Sequence, residues 1–359
     1  MITDPWSSVT ESMKYLKDID FKNKRVLLRT DYNVPLESGQ ILDDFRIRES
    51  LPTIEHILKQ DKSKILIISH LGRPEGKIDP QYSLEPIAKK LGELLKKEII
   101  FIKDILSKEG DEMIQSLESG QIALAQNLRF YPQEEAGDEK FAIDICHHFG
   151  VFVNDAFSAT HRAHASISLV PRFKPSCAGL LMQKEIEELS KALKPSRRPS
   201  IAVIGGAKIE TKMPVIENMA RTYDAVLVGG RIAVEAQEQK LKFSENVVLP
   251  EDYVDETLDI GPKTAKKYEM AISSASFLVW NGPMGKFEDE KYAAGSRAVL
   301  DALSGSGAWK IAGGGETLEL IHKYNRASKF DFLSSGGGAM LEFLSGTKLP
   351  GIEALENSN

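Results

Sequence analysis

Short aliphatic runs alternate with amphipathic stretches along nearly the whole chain, and this alternation restricts the possible folds more than any other feature. RVLLR (25–29) is followed by DDFRIRESLPTIEHILKQ (43–60), where Ile47, Leu51, Ile54, Ile57 and Leu58 recur at helical spacing. Pro52 inside that stretch predicts a kink or a break. KILIISH (64–70) reads as a buried strand and LEPIAKKLGELLKK (84–97) as a helix. The second half repeats the pattern: SIAVIGG then PVIENMARTY, AVLVGG then a short helix, KTAKKYEMAISS then SFLVWNG. Such a rhythm implies an α/β fold with doubly wound, mostly parallel sheets, which bind ligands beyond the carboxyl ends of their strands. At 359 residues the chain is too long for one ordinary core, so two domains are expected. QKEIEELSKAL (183–193) reads as a helix and KPSRRPS (194–200) as a polar link before a new strand, which puts the seam near 183–199. The tail carries Leu349, Ile352 and Leu355 and is expected to dock.

The strand ends differ between the halves. In the first they run into arginine and histidine: SHLGRP places His70, Gly72 and Arg73 on one tight loop, and Arg129 and Arg162 follow further strands. One exposed arginine is ordinary surface; several strand-end loops delivering cationic groups point to an anion site, since the guanidinium fork pairs with carboxylate or phosphate oxygens. Asp31 and Asn33, before Pro35, read equally well as a polar turn. Arg46 either pairs with Glu49 or Asp43 on the surface or sits over a transferring group.

In the second half the strands run into glycine, which lets main-chain N–H groups approach phosphates but also serves tight packing. No segment has the P-loop or the dinucleotide form. Lys208 and Lys212 in GGAKIETK are four apart, placing both on one face near a helix start, where cations oppose the dipole unless an anion is bound. GGGET offers Glu316 and Thr317 for Mg²⁺-phosphate, or for a helix cap. Glu288 suits a ribose hydroxyl or plain solvent. FLSSGGGAM (332–340) is a further strand that runs into glycine, at Gly336, Gly337 and Gly338.

Net charge of −6 argues against broad nucleic-acid or anionic-membrane binding, and no apolar run approaches the ~20 residues of a membrane span. The opening MITDPWSSVTE has no basic region followed by an apolar one. Cys146 and Cys177 have neither metal nor redox spacing, so a reducing, cytoplasmic setting is the default. His161 and His164, three apart, lack further ligands at metal spacing, and the four histidines outside these motifs read as ordinary.

Taken together, RVLLRTDYNVP, ILIISHLGRP, NLRFY, VFVNDAFSATHRAHAS, AGLLMQKE, IGGAKIETK, LDIGPKT, VWNGPMGKFE, IAGGGET and SSGGGAMLEFLSGTKLPGIEAL resemble the phosphoglycerate kinase family, in family order from about residue 21 to the end. The resemblance implies an N-terminal phosphoglycerate domain (1–182), an interdomain helix and linker (183–199), a nucleotide domain (200–340) and a C-terminal segment (341–359) returning to the first domain, with a cleft that closes on a hinge. It implies reversible phosphoryl transfer between 1,3-bisphosphoglycerate and ADP. Substrate positions would be Asp31, Tyr32, Asn33, Arg46, His70, Leu71, Gly72, Arg73, Arg129 and Arg162. Nucleotide positions would be Gly205, Lys208, Lys212, Gly229, Gly230, Asn281, Glu288, Gly314, Gly315, Glu316 and Thr317, with Glu316 on Mg²⁺. Arg46, Lys208, Gly337 and Gly338 would serve catalysis. Its partners would be small molecules, 3-phosphoglycerate and ATP, and a monomer is expected.

Departures gather on the nucleotide side. After AVLVGG the chain reads RIAVEAQ, with Arg231 against the cradle and Glu235 and Ala236 where threonine and phenylalanine are usual. Segments after Lys242 and after VVLPEDYV are short, Glu316 stands for the usual aspartate, Lys286 for an apolar residue and Gln126 for a glutamate. A compact working kinase with a shallower adenine pocket is the preferred reading; a different phosphoryl carrier, or a weak relative serving a non-glycolytic role, are the alternatives.

Overall fold

The structure of the protein, a computed structural model, describes residues 13–358; the stretch MITDPWSSVTE lies outside them. The chain divides into two compact units. One runs to Lys184 and takes in Lys348–Asn359; the other is Glu185–Thr347. The division falls inside the helix Leu180–Leu193.

The first unit is built on a fully parallel sheet of β1 (Arg25–Arg29), β2 (Lys64–Ile68), β3 (Ile99–Ile102), β4 (Ile122–Ala125), β5 (Val151–Asn154) and β6 (Ser176–Ala178), in the order 3-4-2-1-5-6. The inner strands are buried almost end to end, which is why they read as continuous apolar runs. Val26, Leu28, Ile65 and Ile67 enter one core; Leu27, Leu66, Ile68 and Phe152 enter the other. The helix α1 (Phe45–Leu58) continues through Pro52 as one element, against the expected break. Ile47 before the proline and Ile54 and Ile57 after it pack into the same core, so burial holds both turns where proline removes one main-chain donor. Two further helices, α2 (Lys108–Ser116) and α3 (Glu139–Cys146), bury Ile114, Phe141 and Ile145 in the second core.

The second unit repeats the plan with β7 (Ser200–Ile204), β8 (Ala225–Val228), β9 (Val247–Val248), β10 (Phe277–Asn281), β11 (Trp309–Gly313) and β12 (Phe332–Ser334), all parallel, in the order 9-8-7-10-11-12. After β7 comes α4 (Ile209–Thr222), after β8 comes α5 (Gly230–Glu238), after β11 comes α6 (Gly315–Lys323) and after β12 comes α7 (Gly338–Leu344). The last helix, α8 (Pro350–Glu356), belongs to the first unit: Leu349, Ile352 and Leu355 are buried, and the Gly351 N–H donates to the Thr160 carbonyl at 2.9 Å.

Candidate functional site

Strands β4, β2, β1 and β5 are neighbours, so the loops leaving their carboxyl ends gather Arg129, His70, Asp31 and Arg162 on one edge of the first unit. Arg29 closes β1 and is fully buried. Its Nε donates to Ser166 Oγ at 2.9 Å, and Nη2 lies 3.2 Å from His70 Nδ1 and 3.9 Å from the Glu134 carboxylate. Glu134 in turn accepts from the Ser166 N–H and hydroxyl at 2.9 and 2.6 Å. Burial lowers Arg29 to about 10, Glu134 opposing and Arg162 adding to the shift. His70 is driven well below its usual range, first by burial and then by Arg29, Arg129, Arg162 and Arg46. Four guanidiniums thus act on one neutral imidazole.

Arg129 is the side chain most in need of a partner. Its Nη1 donates to the Gly72 carbonyl at 2.6 Å, and Nε is 3.1 Å from Glu135 without hydrogen-bond alignment. Nη2 is buried with no hydrogen-bond partner among the described residues, as is His161 Nδ1. Burial, then Arg162, lowers Arg129 to about 10. Buried cationic donors left open are costly, and an anion is what would complete them. Asp31 ties the edge together. It accepts from Arg46 Nη1 and the Ser158 hydroxyl, and from the Asn33 N–H at 3.0 Å; Asn33 Oδ1 accepts from the Gly72 N–H at 2.9 Å. Arg73 and Asn33 are exposed there and Arg162 is half-buried. Tyr32 and Leu71, expected among the substrate positions, bury their side chains in the core, which leaves only their main chain for such a role. The Tyr32 N–H donates to Ser69 Oγ at 2.8 Å and its hydroxyl meets Ser50 Oγ at 2.9 Å, so no polar group of its side chain is left to face a ligand.

In the second unit the glycine turns are bound main chain to main chain. The N–H of Gly205 donates to Asn281 O, of Gly206 to Pro283 O and of Gly230 to Met284 O. At Gly230 (φ +69) a Cβ would lie 2.8 Å from the Gly206 backbone and 2.9 Å from the Pro283 carbonyl. Tight packing therefore accounts for Gly205, Gly229 and Gly230, which all meet neighbours this closely. Beside them a cleft of about 240 Å³ is lined by Gly206, Gly230, Arg231, Lys286, Glu288 and Glu316. A second, of about 290 Å³, is lined by Lys212, Asn281, Gly314, Gly315, Thr317 and Gly337, and Glu316 borders both.

Lys212 is buried and donates to Asn281 Oδ1, while the Asn281 amide donates to the Gly313 carbonyl at 2.8 Å. Burial lowers Lys212 to about 8, with Glu316 pulling the other way. Lys208 does not share its face. It is exposed and extended at the residue before α4, where helical i,i+4 geometry has not begun. Thr317 does not cap a helix; its hydroxyl accepts from the Gly282 N–H at 2.7 Å. Arg231 stands at the rim, 49% exposed, 3.5 Å from Glu235 and 3.2 Å from Glu238. Glu235 also accepts from the Ile209 N–H at 3.2 Å, at the start of α4. Of the GGG loop, Gly336 already donates to Ser334 Oγ at 3.1 Å, which leaves the Gly337 and Gly338 amides.

Three residues escaped the sequence reading. Arg29 and Glu134 hold the cationic edge in place. Glu185 is fully buried and accepts from Ser334 Oγ, the Ser335 N–H and Ser335 Oγ at 2.7, 2.7 and 2.8 Å, which fixes the approach to the GGG loop. Arg29 had a signal, a cation closing an apolar strand; Glu185 had only its place at the end of AGLLMQKE, and Glu134 had none.

The comparisons with known proteins agree along the chain. The family model described as phosphoglycerate kinase matches residues 16–237 and 233–347. The phosphoglycerate kinase of Pelotomaculum thermopropionicum is 38% identical over 388 residues, covering 95% of this chain and 98% of its own, and that of Koribacter versatilis is 40% identical over 398, covering 95% and 98%. Both alignments are longer than this 359-residue chain, so the relatives carry segments it lacks. The solved phosphoglycerate kinases of Coxiella burnetii and Pyrococcus horikoshii superpose with TM-scores of 0.82, at 34% and 33% identity, over 96% of this chain and 98% of theirs. With matched segments spanning both parallel sheets and both sets of strand-end loops, the chain belongs to the phosphoglycerate kinase family.

Proposed function

We propose that the protein catalyses reversible phosphoryl transfer between the acyl phosphate of 1,3-bisphosphoglycerate and ADP, giving 3-phosphoglycerate and ATP. The buried, partnerless Arg129 Nη2 within the four-guanidinium edge carries this reading, because it calls for a compact, multiply charged anion. Arg129, Arg162, Arg73 and Asn33 take the phosphate and hydroxyl of the acid, with His70 as a neutral donor or acceptor. Arg46, oriented by Asp31 and Ser158, faces the group in transit. In the ATP-forming direction an ADP oxygen attacks the acyl phosphorus and the bond to the carboxylate oxygen breaks; in reverse the carboxylate, already ionised at neutral pH, attacks the γ-phosphorus and ADP leaves. Neither direction needs a covalent nucleophile, so positioning and charge neutralisation are the protein's task.

The nucleotide takes the adjoining clefts of the second unit: the base and ribose beside Gly230 and Glu288, the phosphates towards Lys212, Lys208, Gly315 and the Gly337 and Gly338 amides. Mg²⁺ fits the donor set. Glu316 is an exposed carboxylate bordering both clefts, a hard oxygen ligand of the kind this ion takes, and it would supply charge neutralisation on the nucleotide phosphates. A coupled assay of 3-phosphoglycerate with ATP, GTP or pyrophosphate tests the reading. Turnover with ATP is expected; preference for pyrophosphate, or no turnover with any donor, overturns it.

A further inference from the structure

Away from both ligand edges, Asp111 of α2 meets His147 and His148, the two residues that follow α3. One ligand atom from each lies within 4.8 Å of the other two. We infer that Asp111, His147 and His148 form a surface binding site for a borderline divalent cation of the Zn²⁺ class, separate from the Mg²⁺ that accompanies a nucleotide.

The hydrogen bonds around the trio favour this over a plain helix-to-helix tie. His147 Nδ1 is 2.7 Å from the Asp144 carbonyl. A carbonyl only accepts, so in the neutral ring Nδ1 carries the proton and Nε2 carries the lone pair. Nε2 of that ring stands 3.6 Å from Asp111 Oδ1, another acceptor. With the ring neutral, the two acceptors gain nothing from the contact, whereas a cation between them, a proton or a metal ion, satisfies both. Ligands about 2.0–2.1 Å from a tetrahedral Zn²⁺ stand roughly 3.3 Å apart, close to the 3.6 Å between His147 Nε2 and Asp111 Oδ1. The same Oδ1 meets His148 Nε2, so one carboxylate oxygen serves both rings.

The outer partners are in place as well. Asp111 Oδ2 accepts from Gln115 Nε2 at 2.7 Å, and His147 is held through the Asp144 carbonyl just described. Such contacts orient metal ligands and fix the histidine tautomer. Two imidazoles and a carboxylate match Zn²⁺, Co²⁺ or Ni²⁺ and not Mg²⁺ or Ca²⁺, which prefer all-oxygen shells. His147 is 51% exposed and Asp111 38%, so an ion has a path in and water can fill the remaining position. The ligands come from α2 and from the turn that follows α3, and both helices face the same core, so a bound ion links α2 to the end of α3.

The test is a calorimetric titration of the full chain, stripped with EDTA and freed of chelator, with ZnCl₂ in the absence of nucleotide. One ion per chain is expected at this site, with the affinity reduced at least tenfold in both His147→Ala and His148→Gln. The second variant keeps a donor for Asp111, so it preserves the tie between helices while removing a metal ligand. Co²⁺ added to the wild type is expected to give a visible absorption band that His148→Gln lacks. Zn²⁺ binding unchanged in both variants, or no binding to the wild type, overturns the inference.

Discussion

Arg46 and Lys212 show how one residue's surroundings set its task. The Arg46 guanidinium is oriented by Asp31 and Ser158 and only 27% exposed, so its charge is aimed rather than solvated. Arg46→Ala is expected to lower kcat by about 10³-fold or more while 3-phosphoglycerate still binds, read from steady-state rates beside calorimetry. A kcat near wild type would remove Arg46 from the transfer step. Lys212 lines the cleft proposed for the nucleotide phosphates, and burial lowers its ammonium from an ordinary 10.5 to about 8. The folded chain resists protonation there, so this group costs stability below pH 8, and the cost fades as pH rises from 8 to 10.5. Lys212→Met is accordingly expected to raise the melting temperature of the ligand-free protein at pH 7 and to raise the nucleotide KM about tenfold or more, with little change for phosphoglycerate. Equal effects on both substrates would deny it a nucleotide role. The arginine edge was legible because strand-end cations stand out in a row of apolar runs. The partners that aim them were not: Glu134 comes from a short helix between strands, and nothing in its own segment says that it will meet Arg29 and Ser166.

Among the elements, alternation exposed both parallel sheets, because strands covered on both faces must be apolar throughout. Pro52 misled because a proline's local effect is visible in sequence while the core that holds a helix on both sides of it is not. The pairing of Lys208 with Lys212 misled for a related reason: periodicity gives a face only once the helix has begun, and this one begins at Ile209. The glycine turns separate into two kinds that look alike in sequence. Gly230 abuts the backbone of Gly206, whereas Gly337 (φ +51) has no atom within 4 Å of where a Cβ would be. Gly230→Ala is expected to lose folding stability by roughly 2–6 kcal/mol from overpacking and strain together. Gly337→Ala is expected to stay folded, at a cost of about 1–3 kcal/mol, yet lose most of its turnover as the amides opening α7 shift. Urea denaturation beside the coupled assay distinguishes them; a Gly337→Ala enzyme with wild-type turnover would show that the loop only packs.

For the whole molecule, acid stability is a balance of opposing groups. His164 is lowered from 6.5 to about 3, chiefly by burial and then by Arg129 and Arg29, so its share of stability is intact above pH 6.5 and is lost as pH falls towards 3. Asp155 and Asp259 are raised by burial from 3.8 to about 6, and their protonation works the other way, adding stability as pH falls from 6 towards 3.8. The urea midpoint of His164→Gln is expected to drop less than that of the wild type between pH 7 and pH 5; an equal drop would mean that other groups set the acid limit. The locked glycine turns carry a last implication, for divergence. Because the floor of the cleft lined by Gly206 and Gly230 is secured by peptide groups gripping one another, side chains along its border can be exchanged without unpicking it. The two segments matched by the family model overlap at 233–237, a stretch that includes Glu235, the partner of Arg231. Substitutions along that border are therefore expected to change what the cleft accepts while the hydrogen-bonded turns beneath it stay fixed.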